Sequence, residues 1–169
     1  MRRALPLVCL LLVGTAAPVS EGPVKSLAGR YYKQFADGLV TGEKYNGEDI
    51  VEIVPVGRDA AYVRIHLDYY NGHQCGIYGV ARAEGDALVY RAPKTPYEDQ
   101  PCVLTVRKSG KSLSIDDGNS TCSGYCGARG TLSDVEVPWS SKRPIRYLAR
   151  LKHSPRYRQA LAAWDKGSH

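Results

Sequence analysis

Few residues of this chain could carry out acid–base chemistry, because it contains only four histidines. His66 alternates with Arg64 and Asp68 along a run of alternating polar and apolar residues, so the Asp68 carboxylate could orient the imidazole as a general base. A histidine in this setting is more often a solvated residue on the polar face of a strand. Sequence signatures of serine hydrolases, zinc peptidases and phosphate-binding loops are absent. We therefore assign no catalytic residue and retain a hydrolase that uses His66 and Asp68 as an alternative.

The cysteines are the second set of residues with a defined chemistry. Cys9 lies in the apolar N-terminal run that we interpret below as part of a cleaved signal peptide, so four cysteines remain in the mature chain: Cys75, Cys102, Cys122 and Cys126. An even number of cysteines in an exported chain indicates disulfides. Of the three possible pairings we expect Cys122–Cys126 and Cys75–Cys102. A four-thiolate zinc site is the alternative, but zinc ligands usually come in two close pairs and only one close pair is present.

Oxygen ligands for a metal are limited to acidic pairs at predicted turns. The stretch Asp116-Asp117-Gly118-Asn119 could offer oxygen atoms to calcium, but the ligand series of a calcium-binding loop is missing. We expect neither a metal nor another cofactor.

The N-terminus has the three parts of a secretory signal peptide. Two arginines follow Met1, residues 5–13 are largely apolar, and residues 14–17 are small. The apolar run is shorter than the roughly 20 residues that span a bilayer, and no other stretch approaches that length. We predict a signal peptide over residues 1–20, cleaved within residues 16–20, and a periplasmic or secreted protein that does not span the membrane.

Short strands separated by turns dominate residues 21–140, which we expect to form one disulfide-linked β domain. Residues 61–70 show the clearest alternation, and Asn71-Gly72 after them is a strong signal for a two-residue hairpin turn. Such a turn would set Asp68 opposite Cys75 and direct Cys75 to the outer face. Further strands are predicted at 29–32, 49–56, 73–83, 87–91, 102–107, 112–116 and 126–132. The pattern predicts a mainly β fold, a small antiparallel barrel or sandwich of about 7–8 strands with a C-terminal helical segment.

The C-terminal segment, residues 141–169, is basic and helical in pattern. It has eight Lys or Arg residues and one acid, whereas residues 17–140 carry more acids than bases. Ser154-Pro155 predicts the start of a helix. An apolar stripe at helical spacing predicts packing on the barrel: Tyr157, Ala160, Leu161 and Trp164. The basic face is either solvated or able to bind phosphates, anionic lipid or an acidic surface. Aromatic residues are not interleaved with it, so we expect no nucleic-acid partner.

Tyrosine supplies most of the aromatic surface, with 12 tyrosines against one phenylalanine. Tyrosine suits barrel walls and recognition surfaces because it joins apolar area to a hydroxyl. Tyr70 and His73 flank the predicted hairpin turn, and Tyr125 lies in the loop that a Cys122–Cys126 bond would close. Because a constrained loop loses less entropy on binding, we select the hairpin tip and this loop as candidate recognition surfaces.

The same loop resembles the periplasmic inhibitors of animal-type lysozyme. In that family a Ser-Gly-x-x-Tyr loop and a downstream basic residue enter the lysozyme cleft. Here Ser123-Gly124-Tyr125 is followed by Arg129 and by Lys142, and the tyrosine directly follows the glycine. The resemblance spans residues 123–142 and implies an exported, disulfide-bonded barrel that inhibits, or gives immunity to, a cell-wall hydrolase such as lysozyme. Ser123 and either Lys142 or Arg129 would be the inserting residues.

Three functional hypotheses remain, and we favour a binding module over an enzyme. The first is a protein-binding module of inhibitor or immunity type. The second is a small-molecule carrier with a pocket inside a calycin-like barrel, which an interior filled by Ile65, Leu67 and Tyr78 would argue against. The third is the hydrolase, which requires a nucleophile within hydrogen-bond reach of His66.

Overall fold

The computed structural model describes residues 22–93 and 100–167, so the predicted signal peptide lies outside the described residues. Within these ranges eight antiparallel strands form a single sheet in which each strand pairs with the next in the chain. In order they are β1 (Gly29–Gly38), β2 (Lys44–Pro55), β3 (Ala60–Tyr69), β4 (His73–Glu84), β5 (Ala87–Arg91), β6 (Val103–Ser109), β7 (Ser112–Asp116) and β8 (Val135–Pro138). The prediction of a mainly β fold of this size is confirmed.

The sheet curls into a nearly closed barrel, and the chain beyond β8 joins its two edges. Arg30 of β1 and Arg143 exchange two backbone hydrogen bonds of 2.8 Å. The Tyr32 N–H also donates to Ser141 Oγ at 3.0 Å. Unpaired strand edges invite association with other chains, and here the segment that follows β8 covers that edge of β1.

Apolar side chains fill the barrel interior. Because successive residues of a strand face opposite sides, β3 directs Val63, Ile65 and Leu67 inward, and all three are buried. The other strands add further inward residues: Tyr31, Val51, Ile53, Ile77, Ala81, Leu88, Leu104, Val106, Leu113, Ile115 and Val137. Tyr78 lies on the outer face instead, but Ile65 and Leu67 occupy the space that a carrier of the calycin type would need.

The turn between β3 and β4 has three residues rather than two. It is a short 3-10 turn over Tyr70–Gly72 with φ of 62° at Asn71 and 70° at Gly72. As a result Leu67, not Asp68, pairs with Cys75. A shift of one residue reverses the face of every side chain on the strand. Cys75 therefore points into the barrel and is fully buried, and the prediction that it faces outward was wrong.

Cys75, Cys102, Cys122 and Cys126 all form disulfides, so none of these four supplies a thiolate to zinc, but the expected pairing was wrong. Cys75 is bonded to Cys126, and Cys102 to Cys122. Cys126 lies beside Cys75 at the edge of β4, where the Gly127 N–H donates to the Gln74 carbonyl at 2.8 Å. The two ends of the 122–126 loop are thus anchored to different parts of the sheet instead of to each other.

The last predicted strand of the β domain, residues 126–132, was also wrong. This stretch forms turns, one of them closed by a 2.8 Å hydrogen bond from the Gly130 N–H to the Gly127 carbonyl, and the eighth strand is β8. Gly130 packs directly on a disulfide, since a Cβ added there would lie 2.6 Å from Cys75 Sγ. The close approach to the sulfur means that a side chain at position 130 would collide with the disulfide.

Helices lie at both ends of the described chain: α1 (Pro23–Ser26), α2 (Leu148–Lys152) and α3 (Pro155–Asp165). Helix α3 begins as predicted, with Ser154 Oγ accepting a hydrogen bond from the Tyr157 N–H at 3.3 Å. Tyr157 and Ala160 are buried against Tyr62 and Val80, so the helix covers the outer wall of β3 and β4. None of the described helices is long and apolar enough to cross a membrane.

Candidate functional site

The hairpin tip and the disulfide-linked loop meet at one end of the barrel. The Arg129 guanidinium lies 5.7 Å from the centre of the Tyr70 ring. A Cβ added at Gly127 would lie 2.9 Å from His73 Nδ1, which shows how closely the two segments pack. The sequence singled out Tyr70, His73 and Arg129 separately, and the structure brings them together. We call the surface formed by the turns at 38–44, 70–73 and 127–134 the hairpin end.

Hydrogen bonds hold the turns of the hairpin end together. The Tyr45 hydroxyl accepts from the Gly72 N–H at 3.0 Å, and its one proton is shared between Asp37 Oδ2 at 3.0 Å and the Tyr69 carbonyl at 3.2 Å. The Tyr69 hydroxyl donates to the Thr131 carbonyl. Burial raises the pKa of Tyr69 further above its ordinary value, which is already well above neutral pH. The three turns are therefore tied to one another and not only to the barrel.

Two large apolar side chains are exposed at the hairpin end. Val40 is 66% exposed and Tyr70 is 46% exposed, and a 3.2 Å bond from the Val40 N–H to Asn71 Oδ1 holds their turns together. Leu148 is the other large apolar residue of the described chain with comparable exposure. Exposed apolar side chains grouped on an ordered surface are typical of interaction sites.

An acidic cleft of about 480 Å³ opens beside Tyr70. Its lining includes five carboxylates, Asp37, Asp49, Asp68, Asp134 and Glu136, and one ammonium group, that of Lys33. Among the described residues no three His, Cys, Asp or Glu side chains are grouped so as to hold a metal ion. The cleft therefore presents negative charge to whatever contacts the hairpin end.

Asp49 is the buried member of this cleft. Its carboxylate lies 3.5 Å from Lys33 Nζ. Burial raises the pKa of Asp49, and the Lys33 charge opposes that shift. The remaining carboxylates of the cleft are more exposed, so they carry most of its surface charge.

His66 and Asp68 lie close enough to interact, but the described residues that line the cleft beside them offer no hydroxyl of serine or threonine and no thiol. His66 Nε2 is 3.2 Å from Asp68 Oδ1. Asp68 also accepts hydrogen bonds from the Gln74 side chain at 3.0 Å and the Glu48 N–H at 2.9 Å. The described residues around the cleft at His66 include no serine, threonine or cysteine. This arrangement gives the hydrolase hypothesis no support.

The remaining candidate residues do not join the hairpin end as one group. Ser123 and Gly124 are exposed on a 3-10 turn, Ser123–Tyr125, while Tyr125 is half-buried and hydrogen-bonded to Tyr90. Lys142 donates from Nζ to the Ser26 carbonyl at 2.5 Å and lies 5.0 Å from the Trp139 ring centre. Lys142 thus connects the C-terminal segment to α1, away from the loop that contains Ser123.

A second cleft, which we call the wall cleft, opens where β4 separates from β5. These strands pair only between residues 82–84 and 87–89. The cleft has a volume of about 330 Å³, and four aromatic residues contribute to its lining: Tyr78, Tyr90, Tyr125 and Trp164. Sequence reasoning missed it, although Gly79 was a usable signal, since an isolated glycine in a strand often marks the close approach of another group, here the Tyr90 ring.

Comparisons of the chain with protein-family models, with curated proteins and with solved structures found no match. The hairpin end and the wall cleft are therefore the two surfaces whose geometry and chemistry bear on the function of this chain.

Proposed function

We propose that this protein is an exported protein-binding module that recognises a basic partner through its hairpin end. The partner we propose is a cell-wall hydrolase such as lysozyme, which the protein inhibits or against which it provides immunity. The observation that carries the proposal is the stacking of Arg129 on the exposed Tyr70 ring, in segments linked by the Cys75–Cys126 disulfide.

The composition of the hairpin end supports protein recognition. Tyrosine and arginine are the residue types most enriched among energetically dominant interface positions. Tyr70 and Arg129 are both exposed, and Val40 adds apolar area near them. The disulfide and the hydrogen bonds between turns order this surface before binding, which reduces the entropy lost on association.

The charge of the neighbouring cleft supports a basic partner. Its five carboxylates outnumber its one ammonium group, and complementary charge raises association rates and selects among partners. The two disulfides are typical of proteins that leave the reducing cytosol.

The likeness of residues 123–129 to lysozyme inhibitors suggests the class of partner. Because Lys142 is tied to α1, the basic residue assigned to insertion in this proposal is Arg129. Ser123, exposed on the adjacent turn, is the other residue assigned to contact the hydrolase.

The test is an inhibition assay. Mature protein is titrated into an animal-type lysozyme acting on cell walls, and the complex is captured in parallel by pull-down. We expect inhibition that weakens at least about tenfold in Arg129→Ala and Tyr70→Ala and weakens with rising salt. Arg107→Ala, which removes an exposed arginine of β6, is the matched control and should inhibit normally. Full lysozyme activity in a large excess of wild-type protein would contradict the proposal.

A further inference from the structure

We infer that the wall cleft is a second binding site, and that it takes an extended acidic peptide segment. The backbone of the segment would pair with the open edge of β4, and one of its apolar side chains would enter the aromatic pocket. Adding a strand to an exposed sheet edge is a common mode of peptide recognition, with alternate side chains supplying the specificity.

The open edge of β4 provides the backbone partners. At the N-terminal end of β4 the Gln74 carbonyl accepts a hydrogen bond from the Gly127 N–H, and near its C-terminal end Arg82 pairs with Val89 of β5. Between these two positions no segment of the described ranges, 22–93 and 100–167, pairs with β4 on the side away from β3. Neighbouring residues direct their N–H and C=O groups to opposite edges. Since the backbone carbonyl of Gln74 points toward this edge, the backbone N–H and C=O groups of Gly76, Tyr78 and Val80 do so as well, because these residues lie two, four and six positions further along.

The pocket provides a place for an apolar side chain. Tyr90 reaches across Gly79, where an added Cβ would lie 2.0 Å from the tyrosine ring. The Tyr78 hydroxyl donates to Gln159 Oε1 at 2.9 Å, which joins β4 to α3 beside the cleft. At Gly76, by contrast, an added Cβ would meet no described atom within 4 Å, so the outer face of β4 is open at this position of the cleft. A volume of about 330 Å³ is at the small end of the range of ligand pockets, roughly 300–1,000 Å³.

Charge selects an acidic segment over a basic one. The cleft lining contains one arginine, Arg91, and no carboxylate among the described residues. Two further guanidinium groups lie over its aromatic rings: Arg82 at 5.0 Å from the Trp164 ring centre and Arg156 at 5.9 Å from that of Tyr78. Glu84 pairs with Arg91, and Asp59 Oδ2 lies 3.6 Å from Arg82 Nη1, so two of the three guanidinium charges are partly offset. The excess of guanidinium groups around the cleft still favours a carboxylate on the occupant.

The test uses three synthetic probes on the full mature protein. One is a blocked hexapeptide that alternates glutamate with valine or tyrosine, the second replaces each glutamate by lysine, and the third is a chitin tetrasaccharide. Binding is followed by fluorescence anisotropy, or by competition for the sugar, and by backbone NMR. We expect the acidic peptide to bind and to shift the amide signals of Gly76, Tyr78 and Val80.

Two variants and a matched control locate the site. Gly76→Leu fills the cleft and should weaken binding at least about tenfold, and Arg156→Ala should weaken it without filling the cleft. Gly57→Leu is the control for the first, since a Cβ there meets only Asp59 Oδ1 at 3.8 Å and lies outside the cleft. Thermal unfolding verifies that each variant is folded.

Several results would overturn the inference: no binding of the acidic peptide at millimolar concentration, equal binding of the lysine peptide, displacement by the tetrasaccharide, or unaltered binding to both variants. The inference is independent of the proposed function. Tyr70 and Arg129 lie outside the wall cleft, so loss of lysozyme inhibition in their variants leaves the peptide result unaffected.

Discussion

Cys75 is bonded to Cys126, 51 positions further along the chain, and this bond connects the edge of β4 to the loop that contains Arg129. The neighbouring Gly127–Gln74 hydrogen bond continues the connection by one residue. This covalent link therefore holds the loop against the turn that contains Tyr70, together with the hydrogen bonds between the turns.

The disulfide arrangement predicts an order of stabilities. Replacing Cys75 and Cys126 by serine should lower the free energy of unfolding by about 4 kcal/mol, because that bond closes a long loop. Replacing Cys102 and Cys122, separated by 20 positions, should cost about 3 kcal/mol. Urea unfolding measures both. Non-reducing peptide mapping gives an independent result, and recovery of a Cys122–Cys126 peptide would refute the arrangement.

Two glycines of β4 should respond oppositely to alanine. Gly79→Ala should destabilise the protein by about 1–3 kcal/mol, because its methyl group would overlap the half-buried Tyr90 ring. Gly76→Ala, three residues earlier on the same strand, adds a methyl group in open space. Its free energy of unfolding should stay within about 0.5 kcal/mol of the wild-type value or exceed it. Thermal and urea unfolding of the pair checks the difference, and equal effects would show that Tyr90 does not occupy this position.

A buried carboxylate anchors the C-terminal segment. Glu52 is fully buried, its Oε2 lies 2.9 Å from Arg64 Nε, and it accepts a hydrogen bond from the Tyr147 hydroxyl. Glu52→Gln should lower the free energy of unfolding by at least about 2 kcal/mol. Breaking a fully buried pair costs roughly 3–5 kcal/mol, and the loss here should be smaller because Arg64 is 27% exposed. Tyr147→Phe should cost about 1.5–3 kcal/mol. Urea unfolding with limited proteolysis of the segment measures both. If Glu52→Gln unfolds with the same free energy as the wild type, Glu52 does not anchor the segment.

Asp49 should make stability depend on pH in an unusual direction for a carboxylate. Burial raises its pKa above the ordinary 3.8 despite the opposing charge of Lys33. The folded protein therefore binds this proton more tightly than the unfolded chain does, so the contribution of Asp49 to stability is present below about pH 3.8 and declines as pH rises through the raised pKa. Asn at position 49 does not titrate.

The stability difference between wild type and Asp49→Asn isolates this group, because the other titrating groups cancel in the subtraction. Between about pH 3 and about pH 7 the difference should move in favour of the variant as pH rises. Urea unfolding at each pH measures it. Parallel profiles for the two proteins would show that Asp49 titrates normally in the fold.

Local patterns were sufficient for seven of the eight strands and for the C-terminal helix, and insufficient for the eighth strand and for the site. Alternation along β3 and the cap at Ser154 were readable because each depends on residues only a few positions apart. The turn at Asn71-Gly72 was recognised, but its length was not, since a residue pair that accepts positive φ fits turns of two or of three residues. That single residue changed which side of the barrel Cys75 faces.

The sequence by itself determined that the chain forms a small antiparallel β fold with a C-terminal helix, because periodicity specifies which surfaces must be buried. It also indicated that four of the five cysteines form disulfides, Cys75, Cys102, Cys122 and Cys126, because they are even in number. Only the tertiary structure decided which cysteines pair, that Arg129 rather than Lys142 lies beside Tyr70, and that β4 leaves a cleft beside β5. Those outcomes depend on strand register and on the path of the loops, which bring together residues that are distant in the chain and have no local sequence signal.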